Sequence, residues 1–272
     1  MLLKLPIGKE ICGVTSLDNL LYVLLGSVSS EQIEVYDTAL YSLQRHLTVP
    51  GRLSFDDDIV ACPHNHCAYV SCGSNKSMNK LSLPDATVKN WPINDAPSGL
   101  SVTYTHNVLV TCCKVCKIKE FSTDGKLLRQ LPIPPEVTSP WHTIQLSGGQ
   151  FVVFHFHESY SREIRSRVCL VGADGKIMQS SGTLGCRPRH LAVHRNGFVY
   201  VAGDGVVSIL SRSNGSMTYK GKFLSGIPPF HFPSRLHLSV NQRCMYVVVN
   251  ANQSKLNLLR YQRNSVVWVV GV

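Results

Sequence analysis

PRHLAVHRNGFVYVAGDGVVSILSRSNG, residues 188–215, is the stretch that decides the fold. An apolar, β-rich run at 190–193 leads into Asn196-Gly197. A second run at 198–202 leads into Asp204-Gly205, and a third at 206–210 into Asn214-Gly215. Asn-Gly and Asp-Gly between β-branched or aromatic runs predict tight hairpin turns, because both central residues of the favoured turns need positive φ. Three short strands cannot bury both of their faces alone. Such a unit has to stack against others like it.

The chain carries six such units. Their second strands centre on Tyr22, Tyr69, Leu109, Val152, Tyr200 and Tyr246, which lie 47, 40, 43, 48 and 46 residues apart. That spacing is in the range of four-stranded propeller blades, roughly 40–50 residues. Each centre follows an apolar strand and a polar turn, as in ICGVTSLDN, DIVACPHNH and HLAVHRNG. Each precedes a third strand, as in KIKEFSTDG and RVCLVGADG. Fourth strands fit at 41–47, 87–91, 127–131, 177–181 and 217–223. No segment sustains a 3.6-residue apolar period, so essentially no helix is expected. The expected architecture is an all-β, single-domain, six-bladed propeller of four-stranded antiparallel blades. The blades fall at 11–50, 56–94, 97–133, 139–182, 187–224 and 233–264. Blade six takes KLNLLRYQRN as its third strand and lacks a fourth in place. Closure is expected from 1–7, favoured, or from 265–272, since an open ring would leave an unpaired edge.

The 272 residues carry a net charge of +10, 44% hydrophobic and 16% charged residues. That suits a folded, weakly charged β protein with acidic partners. No Asp or Glu follows Asp204, whereas Arg212, Lys220, Lys222, Arg235, Arg243, Lys255, Arg260 and Arg263 do. The opening MLLKLPIGKE breaks its apolar run with Lys4 and Pro6, unlike a signal peptide. No run approaches the ~20 apolar residues of a membrane span. Ten cysteines without a secretory signal read as reduced thiols of a cytoplasmic protein.

On residues 188–202, on KIKEFSTDGKLLRQL at 117–131 and on PWHTIQLSGGQFVV at 140–153, the repeats resemble NHL repeats. Those form the six-bladed propellers at the C-termini of tripartite-motif ubiquitin ligases. The resemblance implies substrate recruitment for ubiquitination, or single-stranded RNA binding as in some NHL propellers. The chain departs from the family pattern after its second strands, at Cys72-Gly73, Cys112-Cys113 and Gly203-Asp204-Gly205. No RING-like or B-box-like Cys/His array precedes the repeats, so no ligase catalytic domain is expected.

Two constellations have metal-like composition. Cys62-Pro-His64-Asn-His66-Cys67 and Cys113-x-x-Cys116 together offer thiolate and imidazole ligands for zinc. The first lies in a turn between first and second strands, the second between second and third strands. Those turns are on opposite faces of a propeller, so the reading is structural. His142 and His190 hold equivalent positions at the starts of inner strands and can line the channel mouth, with Asp56–Asp58 the nearby carboxylates. That is too few acids for calcium, and satisfied structural histidines are expected over a two-histidine zinc site. No G-x-S-x-G, H-E-x-x-H or P-loop is present. No catalytic residue, metal or cofactor is therefore expected.

The loops joining fourth to first and second to third strands share one face. They carry Arg52, Lys76, Lys114, Arg162, Arg165, Arg187, Arg189 and Lys255, with His157, Tyr160, Trp141, Phe230 and His231 among them. Arg, Tyr and Trp dominate protein hot spots, and cations interleaved with rings also suit single-stranded RNA. The expectation is a monomeric, non-enzymatic platform that binds a protein partner through Arg162, Arg165, Arg187, Arg189, His157, Tyr160, Phe230 and His231. RNA through the same face is the alternative, and a metal-dependent lactonase or lyase at the channel mouth the second.

Overall fold

The structure, a computed structural model, describes residues 2–4, 10–26, 32–54, 56–158, 164–180, 189–194, 196–203, 205–213, 216–225, 231–239, 244–251 and 265–271. Its strands form six four-stranded antiparallel sheets. The innermost strands are Glu10–Leu17, Ile59–Cys62, Gly99–Val102, Pro140–Gln145, His190–Val193 and His231–Ser239. Each touches the inner strand of the next blade, and the sixth touches the first, so the ring is closed. Among the described residues the helical segments are two 3-10 turns, Pro63–Asn65 and Cys113–Val115.

Strand position sets composition. Second strands such as Cys67–Cys72 and Val108–Cys112 are buried throughout, because neighbouring blades cover both of their faces. They read as continuous apolar runs for that reason. Outer strands such as Leu43–Leu47 and Leu127–Leu131 expose all but their last residue. Alternate residues of a second strand point to opposite faces, and here each face is a separate core. Tyr22 and Leu24 pack with Ala68 and Val70 of blade two. Leu21, Val23 and Leu25 pack with Tyr246 and Val248 of blade six. Cys67 and Tyr69 turn the other way, towards Val108 and Val110 of blade three. Every neighbouring pair of blades shares such a core.

The turn at Asn196-Gly197 is built differently from the two-residue turn expected. Gly197 is left-handed at φ 84°, but Asn196 is not. The His194 N–H reaches Phe198 O at 2.8 Å and the Gly197 N–H reaches His194 O at 2.8 Å. The longer loop therefore needs positive φ at the glycine and not at Asn196.

Both chain ends build blade six. Its third strand is Ser265–Gly271, paired with Cys244–Ala251, and its outer strand is Leu2–Lys4, with Leu2 opposite Trp268 and Lys4 opposite Val266. The two segments weighed for one closing position thus occupy adjacent positions in the sheet. The third place, expected for 255–264, is taken by Ser265–Gly271; residues 255–264 lie outside the described residues.

Candidate functional site: the channel mouth

Inner strands begin at the face that carries the loops between second and third strands. Three of them start with a register shift: Ile11/Gly13, Pro140/His142 and Pro233/Arg235. Bulges of this kind re-aim a side chain, and two of the three lead into polar residues of the channel, His142 and Arg235.

Asp58, which directly precedes the inner strand of blade two, is the hub. It is buried, and its Oδ1 accepts the Ile59 N–H at 2.9 Å. Oδ2 accepts the Leu100 N–H of blade three at 3.0 Å and faces His190 Nε2 of blade five at 3.4 Å. His142 Nε2 of blade four stands 3.8 Å from Oδ2, and Arg235 Nε of blade six 3.8 Å from Oδ1. Blade one backs the group through Gly13, where a Cβ would come within 3.3 Å of Oδ1. One carboxylate therefore meets all six blades. Burial alone would raise its pKa, but His190, Arg235 and His142 outweigh that and hold it well below the usual range.

The imidazoles are part of the same network. The His142 and His190 rings lie 4.0 Å apart, and the His142 Nε2–H donates to Leu100 O at 3.0 Å. The Leu236 N–H approaches His190 Nδ1 at 3.4 Å. Gly99 leaves the space: a Cβ there would stand 2.6 Å from Trp141 O and 2.7 Å from the His142 ring. Burial, then His190, push His142 down to about 3, so it is neutral at neutral pH. Deeper in the channel, His237 Nε2 accepts the Ser16 N–H at 2.9 Å, and burial, then His190, push it down to about 4.

Asp57 ties the rim together. Its carboxylate accepts N–H groups from Ser54 at 2.6 Å and Gly73 at 2.7 Å, and its carbonyl accepts from Arg235 at 3.2 Å. Burial pushes it up to about 6 in spite of those bonds. Asp56 is also raised by burial, against the pull of Arg235, Lys114 and Arg189.

Ligand atoms of Asp58, His142 and His190 all lie within 4.8 Å of one another, a set that a divalent cation with imidazole and carboxylate preferences would use. The present arrangement turns these atoms inward instead. His142 Nε2 carries its hydrogen to a carbonyl, Oδ2 already accepts a backbone N–H, and a guanidinium stands where a cation would be repelled. The Cys62–Cys67 group is engaged within the protein as well. Cys62 and Cys67 are buried opposite each other, Asn65 donates to Cys62 Sγ at 3.1 Å, and His64 stacks on His106 at 4.0 Å. Cys113 and Cys116 lie at the far end of a second strand, on the other face.

Of the residues expected to bind a partner, Arg189 is brought to the mouth. It is half-buried, its N–H donates to Ala202 O at 2.7 Å, and its charge acts on Asp56. His157 and Arg165 are paired in register along the hairpin Phe151–Glu158/Ile164–Val171 of blade four, whose strands have eight residues against five in blade three. His231 opens the inner strand of blade six opposite Ala251. Tyr160, Arg162, Arg187 and Phe230 lie outside the described residues. Arg235 was absent from the expected set, although it stands beside Leu236 at an inner-strand start, which is the position that singled out His142 and His190.

No protein-family model matches the chain, and no curated protein matches it. Solved structures do, at identities that speak for the fold alone. Hydrazine synthase of Kuenenia stuttgartiensis matches with TM-score 0.66 and 14% identity, over 95% of this chain and 81% of that one. A catalytically inactive virginiamycin B lyase from Staphylococcus aureus with quinupristin matches at 0.63 and 9%, over 100% and 99%. A chain of the mitotic checkpoint complex matches at 0.64 and 11%, over 100% and 95%. The chain is a six-bladed β-propeller. No helix among the described residues is long and apolar enough to cross a membrane.

Proposed function

We propose that the protein is a non-enzymatic recognition platform that binds an acidic segment of a partner protein through the loop face around the channel mouth. The observation that carries this reading is the inward commitment of Asp58, His142 and Arg235. A catalytic centre turns its acids and bases towards a substrate, whereas here they engage one another and the backbone. Outside them, Arg52, Lys76 and Lys114 stand exposed on loops of the same face. The neighbouring acid Asp95 is already held by Lys119 at 2.8 Å and Lys117 at 3.3 Å. An unbalanced cationic rim steers an acidic partner and suppresses basic ones. The NHL resemblance supports a role in recruiting a substrate to a separate ubiquitin ligase.

The test is equilibrium binding of the purified chain to a poly-glutamate peptide and to a random single-stranded RNA pool, titrated over salt. Saturable peptide binding is expected, lost in an Arg52→Glu/Lys76→Glu/Lys114→Glu variant whose Tm is unchanged. RNA binding that survives physiological salt, with a log–log slope of about −0.7 per phosphate neutralised, would replace the protein partner with RNA.

A second reading, metal-dependent lyase or lactonase chemistry, is favoured by the proximity of Asp58, His142 and His190. Stoichiometric metal in the purified protein, lost in His190→Ala, would establish it. Arg235 and the Leu100 N–H, both on the same carboxylate, count against it.

A further inference from the structure

Two cysteines on the loop face take no part in the channel network. The 3-10 turn Cys113–Val115 follows the second strand of blade three, and Cys116 ends it in a left-handed conformation, φ 50° and ψ 51°. The Cys116 N–H donates to Cys113 O at 3.2 Å. A turn closed by such a bond holds its end Cα atoms within about 7 Å, and a disulfide spans roughly 4.4–6.8 Å. The backbone is therefore already close to the geometry of a bridge. Exposure divides the labour. Cys116 is the exposed thiol among the described cysteines, and Cys113 is half-buried behind it. Ser139, in the loop entering blade four, donates its N–H to Cys116 Sγ at 3.3 Å, which holds the sulfur at the rim beside Cys113. Burial, with Cys116 and Asp56 nearby, pushes Cys113 up to about 11, so it stands by as the thiol.

We propose that Cys113 and Cys116 form a reversible dithiol–disulfide site on the loop face, oxidised by peroxides. The Cys116 thiolate attacks the peroxide oxygen and breaks the O–O bond, and the departing alkoxide or hydroxide leaves with a proton as alcohol or water. The Cys113 sulfur then attacks the sulfenic sulfur, its proton going to the hydroxide expelled. Two thiols and one peroxide give one disulfide, one alcohol or water and one further water. The bridge takes the Cys116 sulfur away from Ser139 and so loosens the joint between blades three and four at the rim. Control of partner binding by this step rests on the recognition reading above; the chemistry does not.

The experiment treats the purified full chain with hydrogen peroxide, alkylates it, digests it with trypsin and reads the peptides by mass. Trypsin cuts after Lys114 and Lys117, so a Cys113–Cys116 bond keeps the fragment Val115-Cys116-Lys117 attached to the peptide ending at Lys114. The linked pair is expected to appear with peroxide, to vanish with dithiothreitol, and to be absent from Cys116→Ser and from Cys113→Ser. Two thiols should be lost to alkylation. Three results overturn the proposal: both thiols still alkylatable after peroxide, Cys116 passing to sulfinic acid without a link, or a link that persists in Cys113→Ser and so belongs to Cys112. No partner is present in this assay, so its failure leaves the recognition reading untouched.

Discussion

Asp58 Oδ2 and His190 Nε2 lie 3.4 Å apart although 132 residues separate them in the chain. Blades two and five are opposite members of a ring of six, so this contact exists only when the ring is closed. The channel mouth is a lock on the fold before it is anything else.

Asp58→Ala should therefore destabilise the protein far more than a surface change. It leaves the Arg235 guanidinium buried without its carboxylate and frees the Leu100 N–H. Removing one partner of a buried pair costs about 3–5 kcal/mol. Asp58→Asn keeps an acceptor and should cost less. Urea unfolding reads the difference as a shift in midpoint at constant m-value. Equal stability of wild type and Asp58→Ala would show that the hub carries no weight.

Stability should fall as pH drops from about 6.5 towards 4. His142 and His237, held near 3 and 4 when folded, take up protons first in the unfolded chain, and each favours unfolding below its ordinary pKa of about 6.5. Asp57 acts the other way: raised to about 6, it binds its proton first when folded and stabilises as pH falls through that value. Asp56, also raised by burial, offsets a further part nearer its ordinary pKa of about 3.9, so the net loss is at most about 1.4 kcal/mol per pH unit and is steepest just below pH 6. Asp58, held low when folded, adds to the loss only below its ordinary pKa of about 3.9. Thermal melts across pH 7 to 4 measure this, and His237→Gln should flatten the slope by about half to all of its value. A Tm that rises as pH falls over that window would contradict the burial of His142 and the partial burial of His237.

The blades were legible because their signals are local. Apolar runs such as FVYVA and MYVVV follow from burial on both faces, and glycine marks turns such as the one at Gly197. The channel mouth was half legible: His142 and His190 stand out as equivalent inner-strand starts. The pairing of Arg235 with Asp58 was not, because it joins blades two and six through the closure of the ring and leaves no spacing in the sequence. The sharing of blade six between Leu2–Lys4 and Ser265–Gly271 was hidden likewise, since either segment alone satisfies a β pattern.

Packing predicts a contrast between two leucines. Leu24, fully buried between blades one and two, should cost about 2–5 kcal/mol when cut to Ala. Leu128, on an outer strand and 46% exposed, should stay within about 0.5 kcal/mol. The same denaturation assay reads both. A Leu24→Ala variant as stable as Leu128→Ala would mean that blades one and two do not meet as described.

Deleting residues 1–4 should loosen the ring at blade six. The deletion removes the outer strand of blade six and uncovers the edge of Ser265–Gly271, whose N–H and C=O groups then face water or another chain. Blade six packs on blade five through Leu236 and Val247 and on blade one through Tyr246 and Val248, so its loosening reaches two cores. A loss of one kcal/mol lowers Tm by about 2–4 °C in a domain of this size. The deletion should exceed that and should raise the tendency to self-associate, read by light scattering beside the melt. If Tm and mass are both unchanged, the first strand is not the clasp, and the contact between the inner strands Glu10–Leu17 and His231–Ser239 keeps the ring closed unaided.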